Sequence, residues 1–463
     1  MGRADRSPRA PRSRRAQATE IAKLALAPDQ RARVRDALID LCFERGFQQV
    51  TAEALCQRAG IERATFDAAY ADLTDCFMQV SLSEAEEFHR RIGLLRGSED
   101  PWRERVRATA YELLRYFKED EKRTHFGIVE GRSAGERVQH VIAAEIEAMV
   151  DLIDEGRQCL DDPESLTRAT AEEITGGIFN QLYLQLSRGP LPPEEDHIPQ
   201  MMYVAVLPYL GPEAALEELN IRPPPHRYPS TVSLQGKRRE PYSSPELGPL
   251  PGGHHGLSPE QVAESQRERL LAAVAHVSAQ RGYRAATITE IVKAASVSSR
   301  VFYEHFSSKE ECFLAAFDAV CVHLTELIVA AVEPIPDWPT RVIVALRTAL
   351  RFFAAEPDLA RLCLLESVTA TPAIAARFRA AALAAVPSLA AGRSERSGGE
   401  ALPESTEDSL LGGLIALTSR TILAGSEALE ALLPDLVEFV LSPYLGPEAA
   451  KKLVAKAVAP SSG

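Results

Sequence analysis

This 463-residue chain lacks the features that several protein classes need. It has no run of 18 or more apolar residues, so nothing in it reads as a membrane span. Its first residues hold no apolar signal core, so export is not expected and the cytoplasm is. The seven cysteines (Cys42, Cys56, Cys76, Cys159, Cys312, Cys321, Cys363) include no Cys-x-x-Cys pair. That spacing reads as reduced, mostly buried thiol rather than a zinc or dithiol site. No phosphate loop, dinucleotide fingerprint, Ser-His-Asp pattern or metal-ligand spacing occurs, so no enzyme activity, cofactor or metal is expected. His254 and His255 sit among glycines and prolines, where a loop is the simpler reading than a metal site. A formal net charge of −13 excludes a polycationic coat but leaves room for a local basic patch.

The apolar content of 45% and charged content of 25% suit a soluble globular chain. At roughly 150 residues per domain, the length points to about two to four domains. The chain also repeats itself. Pro208-Tyr-Leu-Gly-Pro-Glu-Ala-Ala215 recurs as Pro443-Tyr-Leu-Gly-Pro-Glu-Ala-Ala450, 235 residues on. At an offset of 236, Gly46 meets Gly282, Thr51 meets Thr287, Phe66 meets Phe302, and Cys76-Phe77 meets Cys312-Phe313. Trp102 meets Trp338, Phe117 meets Phe353, and Gly176-Gly177 meets Gly412-Gly413. A unit this long is a duplicated domain pair, not a solenoid period.

Between the copies, residues 221–262 hold nine prolines and almost no apolar periodicity, which reads as a linker. About 40 flexible residues span roughly 35 Å. Residues 1–25 read as a disordered basic arm carrying Arg3, Arg6, Arg9, Arg12, Arg14 and Arg15. The stretch from Gly392 to Ser405 reads as a low-complexity loop within copy two.

The remaining pattern is helical throughout, with no strand alternation. Leu270, Val274 and Val277 give a helical spacing over 266–281 that Gly282 ends. Thr287-Ile-Thr-Glu290 is a capping box opening a short helix. Ser298 opens another, with Val301, Phe302 and Phe306 on its buried side. Ser307-Ser-Lys-Glu310 reads as a second capping box before a long helix.

Helix, short helix, turn, short helix, long helix resembles the DNA-binding domain of TetR-family regulators. The segment 287–311, with its Val-Ser…Phe-Tyr-x-His-Phe-x-x-Lys-Glu pattern, carries the resemblance; Thr51 to Phe77 carries it more weakly. The pattern covers about 50 residues of each unit. It implies an all-α chain of two TetR-like units. Each unit would be a three-helix helix-turn-helix domain followed by a helical ligand-binding and dimerisation domain. The divisions are 26–80 and 81–220 for copy one, 263–316 and 317–455 for copy two, and 456–463 for a tail.

A recognition helix presents its N-terminal residues to base edges in the major groove. In copy two these are Ser298, Ser299 and Arg300. Arg300 bonding a guanine bidentately would give about 1–3 kcal/mol of discrimination; the alternative is a solvated arginine. The family pattern usually has a basic residue at Ser299 and a small one at Arg300, so the operator sequence is not legible. Tyr303, His305, Lys309 and Thr287 match positions that touch phosphate in the family, although a purely capping role would also explain Thr287. Ser296 replaces the usual turn glycine, at a cost of up to about 1 kcal/mol if the site needs a positive φ.

Copy one departs where it matters. Asp67, Ala69 and Leu73 stand where copy two has Tyr303, His305 and Lys309. Arg63 and Thr65 keep the family's basic-small-Thr order around Ala64. Residues 31–78 carry a formal −2, and residues 267–314 carry +2. Two readings stand: copy one binds DNA weakly with help from the basic arm, or it is a degenerate partner that keeps the architecture.

TetR-family units pair through their last two helices. Here Glu172–Ser187 with Pro193–Leu210, and Asp408–Leu423 with Ala428–Leu445, would form the bundle, with both Gly-Gly pairs allowing close approach. The resemblance therefore implies an intramolecular pseudo-dimer, open to further homodimerisation. Its operator would be double-stranded DNA that need not be palindromic, and an apolar small-molecule effector would release it. Candidate pocket residues are Trp338, Phe352, Phe353 and Cys363, with Trp102, Tyr116, Phe117, His125 and Phe126 at or near the matching places; ordinary core packing is the competing reading for most of them. The competing function class is a helical ligand- or partner-binding protein that has lost its operator.

Overall fold

The computed structural model describes residues 26–96, 99–186, 194–221, 259–395 and 402–458. The basic arm and nearly all of the expected linker lie outside the described residues. Among those described there is no strand.

The first half runs through α1 (Pro28–Arg45), α2 (Ala52–Ala59), α3 (Arg63–Ala69), α4 (Leu73–Arg96), α5 (Trp102–Glu119), α6 (Glu136–Asp154), α7 (Arg168–Leu186) and α8 (Glu194–Glu218). The second half follows the same order. It runs α9 (Pro259–Arg281), α10 (Ile288–Ala294), α11 (Ser299–His305), α12 (Lys309–Val332), α13 (Trp338–Ala355), α14 (Pro372–Leu383), α15 (Thr406–Ala424), α16 (Leu433–Leu445) and α17 (Pro447–Val458). Several expected boundaries move. α9 begins at Pro259, inside the expected linker, because its polar first turns extend an amphipathic helix that the apolar pattern marks only later. α4 and α12 run unbroken across the divisions at 80 and 316, and α17 continues past 455 to Val458.

Each half has its own head core. Val34, Leu38, Phe47, Phe66 and Phe77 are fully or almost fully buried in the first, and Leu270, Val274, Phe302, Phe313 and Phe317 in the second. The two bodies share a core that draws on Trp102, Leu114 and Tyr203 from one half and Val440, Leu441 and Tyr444 from the other.

The repeated octapeptide forms the same corner twice. Gly211 (φ 79°) breaks α8 and Gly446 (φ 83°) separates α16 from α17. The tyrosine before each glycine packs edge-on against a tryptophan, Tyr209 on Trp102 at 5.1 Å and Tyr444 on Trp338 at 4.9 Å. Each indole N–H is satisfied by a backbone carbonyl, Leu152 O for Trp102 and Ser388 O for Trp338, both at 2.8 Å. Gly156 and Gly392, 236 residues apart, lie against these rings, where a Cβ would collide with the indole. The expected loop from Gly392 is therefore wrong at its start: Ala391–Glu395 is a 3-10 turn, and Arg393 bonds buried Glu407 at 2.7 Å.

α7 and α15 pack face to face across the halves, flanked by α8 and α16. The Gly-Gly pairs make this approach possible. A Cβ on Gly177 would stand 2.6 Å from Ser409 O, and one on Gly412 2.5 Å from Asn180 Cβ. Gly176 lies directly against Ala416. Any side chain at these glycines would push the helices apart.

α12 is long and apolar, with a mean hydropathy of 1.9, and the segment Pro372–Glu395 reaches 1.3. Both could cross a membrane by length and composition alone, which the count of uninterrupted apolar runs missed. The first part of α12 is buried in the head core through Cys312, Phe313, Ala316, Phe317 and Val320. Its later part exposes Val322, Leu327 and Val329.

Candidate nucleic-acid interface

The copy-two head is built by local capping. Thr287 Oγ1 accepts from Glu290 N at 3.3 Å, while the Glu290 carboxylate accepts from Thr287 N at 3.0 Å and from Thr287 Oγ1 at 2.8 Å. The hydroxyl's one donor is used within the cap, which is the capping role set beside the phosphate contact in the sequence. The turn then passes through Ser296 at φ 53°, the one non-glycine residue with positive φ among those described. Copy one has Gly60 (φ 63°) at the matching position. The strain anticipated at Ser296 is therefore present in the backbone.

Ser298 caps α11, its Oγ accepting from Val301 N at 3.3 Å. Phe302 is completely buried and Phe306 nearly so, which anchors one side of this seven-residue helix. The other side carries Ser298, Ser299, Arg300 and Tyr303, all exposed. The Arg300 side chain is 88% exposed and is held only by an i,i+4 contact to Glu304 at 2.9 Å. Such a pair exchanges readily for a base edge or phosphate. Tyr303, 59% exposed, packs its ring at right angles to Phe302. His305 is half-buried, with its ring tilted on Phe306.

Lys309 differs from expectation. Its Nζ donates to Tyr283 O at 2.7 Å and to Ala286 O at 2.8 Å, and sits 4.3 Å from the Tyr283 ring centroid. Two of its three donors are thereby spent on the turn between α9 and α10. Burial lowers its pKa. These bonds give Lys309 a structural role in the head. The expected cap of the next helix also shifts by one residue. Ser308 caps α12 by accepting from Glu311 N at 3.1 Å, and Glu311 accepts from Ser307 N at 2.7 Å.

Copy one has the same frame with a different surface. Thr51 caps α2 and Asp72 Oδ1 accepts from Asp75 N at 2.7 Å at the start of α4. Arg63 is clamped between Asp67, at 2.8 Å, and Glu53. The hydrogen bond that Arg63 donates to Asp67 raises the arginine's pKa further. Two carboxylates thus compete for its one charge. Thr65 is half-buried behind it. The two heads touch: the Arg284 guanidinium lies 5.0 Å from the Phe47 ring centroid.

Each head is tied to its body by a buried glutamate. Gly46 and Gly282 (φ 76° and 77°) end the first helix of each half. The next N–H then points inward, from Phe47 to Glu130 Oε2 at 2.7 Å and from Tyr283 to Glu366 Oε2 at 2.6 Å. Both glutamates end a π-helical turn, His125–Glu130 and Leu362–Glu366. Sequence reasoning missed this pair. An acid amid apolar residues, repeated at the 236-residue offset, was the available signal.

The π turn of copy two also lines a cavity of about 580 Å³ bounded by α12, α13, α14 and α15 and open to solvent on one side. Phe353 and Cys363 line it, as expected. The other proposed pocket residues do not. Trp338 is committed to the Tyr444 corner, and Phe352 packs on Phe353 and His323. In copy one, Trp102 is committed to Tyr209, Tyr116 and Phe117 pack with Phe88, and Phe126 stacks on Phe77 at 4.2 Å in the head core. His125 lies edge-on to Phe43. The missed walls come most of all from α12, with further residues from α13, α14 and α15, including Cys321, Leu324, Phe378 and Leu411.

Residues 270–316 match the N-terminal domain described as "Bacterial regulatory proteins, tetR family". An HTH-type transcriptional activator, FasR, of Mycolicibacterium smegmatis is 30% identical over 131 residues, which are 28% of this chain and 60% of that protein. An uncharacterized HTH-type transcriptional regulator, YdgC, of Bacillus subtilis is 34% identical over 100 residues, 21% of this chain and 51% of that protein. The chain thus spans between half and two thirds of the length of these two relatives. Among solved structures, the fatty acid degradation regulator FadR of Bacillus halodurans aligns with 38% of this chain and 94% of its own, at 18% identity and a TM-score of 0.35. FadR of Bacillus subtilis in complex with stearoyl-CoA aligns with 39% of this chain and 98% of its own, at 15% identity and a TM-score of 0.32.

Proposed function

We propose that this chain, which carries a TetR-type head at residues 270–316, is a DNA-binding transcriptional regulator made by tandem duplication of a TetR-like unit. The two units form a pseudo-dimer through α7, α8, α15 and α16. It reads a double-stranded, non-palindromic operator chiefly through copy two, works in the cytoplasm and catalyses no reaction. An apolar small molecule entering the copy-two cavity releases it, which makes repression the default sense. The observation that carries this reading is the contrast in reading helices. α11 presents an 88% exposed arginine beside an exposed tyrosine, whereas α3 holds its arginine between two carboxylates. Arg300, Tyr303, Ser298 and Ser299 would make the contacts, with His305 at the edge.

Coupling would run through the π turn Leu362–Glu366, which touches the cavity at Cys363 and the head at Tyr283. The test is binding of the full chain to its own upstream DNA at two salt concentrations, with Arg300→Ala and Arg63→Ala alongside. Loss with Arg300→Ala alone supports the reading. Failure of every DNA, including sequences selected from a random pool, sinks it. The acidic surface of the copy-one head favours the second reading, a ligand- or partner-binding protein without an operator, and that reading would then lead. Light scattering of the purified chain separates a single-chain pseudo-dimer from a further homodimer with four heads.

A further inference from the structure

The copy-two cavity carries two thiols on facing elements. Cys321 comes from α12 and Cys363 from the π turn, and both line the same cavity. Copy one has Ala85 and Gly127 at the matching positions, so the pair belongs to copy two alone. Cys321 is half-buried and Cys363 is 5% exposed. The neighbouring Cys363 thiol lowers the Cys321 pKa and nearby Arg377 adds to this, while burial and Asp318 act in the opposite direction. The thiolate is the nucleophilic form of cysteine. The other walls are almost wholly apolar, among them Phe353, Phe378 and Leu411, and the mouth lies beside exposed Val322, Thr325 and Ala385. A volume of this size suits an apolar molecule of drug-like bulk.

We propose that Cys321 is a covalent capture site for apolar α,β-unsaturated carbonyl compounds, with Cys363 positioning its sulfur. The Cys321 thiol gives its proton to solvent. The sulfur lone pair forms a C–S bond to the β-carbon, and the C=C π electrons shift to give an enolate. The α-carbon then takes a proton from solvent. Nothing leaves, and no oxidant or reductant is needed. The apolar walls choose the molecule, which a peroxide would not require. Cys363 stands three residues before Glu366 on the turn that holds the Tyr283 N–H, so an adduct wedged against α12 bears on the element that carries the head. The regulatory consequence rests on the function proposed above; the capture itself does not.

The experiment treats the full chain with one equivalent of N-phenylmaleimide and locates the adduct by peptide mass spectrometry. Cys321 should be labelled ahead of Cys159, the exposed thiol, and hydrophilic iodoacetate should reverse that order. Cys363→Ala should slow labelling of Cys321 several-fold. Ala385→Trp, at the mouth, should block Cys321 and spare Cys159. Labelling of Cys159 first by the maleimide, or indifference of Cys321 to Ala385→Trp, overturns the proposal. Labelled wild-type protein should lose operator affinity, and Cys321→Ser should not respond. Labelling as expected in a protein that binds no DNA upholds the capture site and sinks the regulator reading instead.

Discussion

The two heads share a backbone plan and differ in what their carboxylates do. In copy two, Glu290 is used to cap α10, and α11 leaves its tyrosine exposed and its arginine held by a single i,i+4 contact to Glu304. In copy one, Glu53 and Asp67 both face Arg63, and Asp67 stands where the tyrosine would be. Identical frames can thus carry opposite surface chemistry, because caps and buried aromatics set the frame while a few exposed positions set the charge. A motif search that weighs the frame finds two heads, whereas one that weighs the surface finds one.

The comparison can be tested at several points. The largest effect should come from the bundle that both copies share. Gly177→Val forces a side chain into the Ser409 carbonyl and should cost about 3 kcal/mol or more, read as a drop in melting temperature. A variant that melts like wild type would show that α7 and α15 do not hold the halves together. At the reading helices, Arg300→Ala should weaken specific DNA binding about 10- to 100-fold, while Arg63→Ala changes it far less, by fluorescence anisotropy. Equal losses would erase the proposed asymmetry.

A third test concerns charge within the bundle. Burial, Asp435 and Glu448 raise the Glu438 pKa to about 7 against the opposing effect of Lys451, and copy one has Tyr203 at the matching place. A carboxyl with a raised folded pKa adds stability that is full below its unfolded value, near 4.5, and fades as pH rises through about 7. The melting temperature should therefore fall between pH 5 and pH 8, and Glu438→Gln should flatten that fall. The smallest effect should be at the turns. Ser296→Gly should stabilise by up to about 1 kcal/mol and Gly60→Ser destabilise by a similar amount in urea denaturation.

Much of the head was legible in the sequence because its determinants are local. Thr287 with Glu290, and Ser298 with Val301, lie three residues apart, and Phe302 and Phe306 mark the buried side of α11. The Gly-Gly pairs were legible through repetition. The structural bonds of Lys309 were not legible because its carbonyl partners lie 23 and 26 residues away, beyond any helical spacing. The cavity was misread for a different reason. Large aromatics were weighed as its walls, yet most of them fill core, while the space is left by small residues such as Ala349 on α13, Ala381 on α14 and Ala385 in the turn after it. Empty volume has no residue type of its own.

The joining of α7 to α15 within one chain has a consequence at the scale of the cell. A regulator assembled from separate subunits loses its active form as the square of dilution when only a few molecules are present. Here both halves of the bundle are translated together, at a fixed one-to-one ratio. Occupancy of the target would then track the number of chains in simple proportion, and stay steady at low copy number and through cell division.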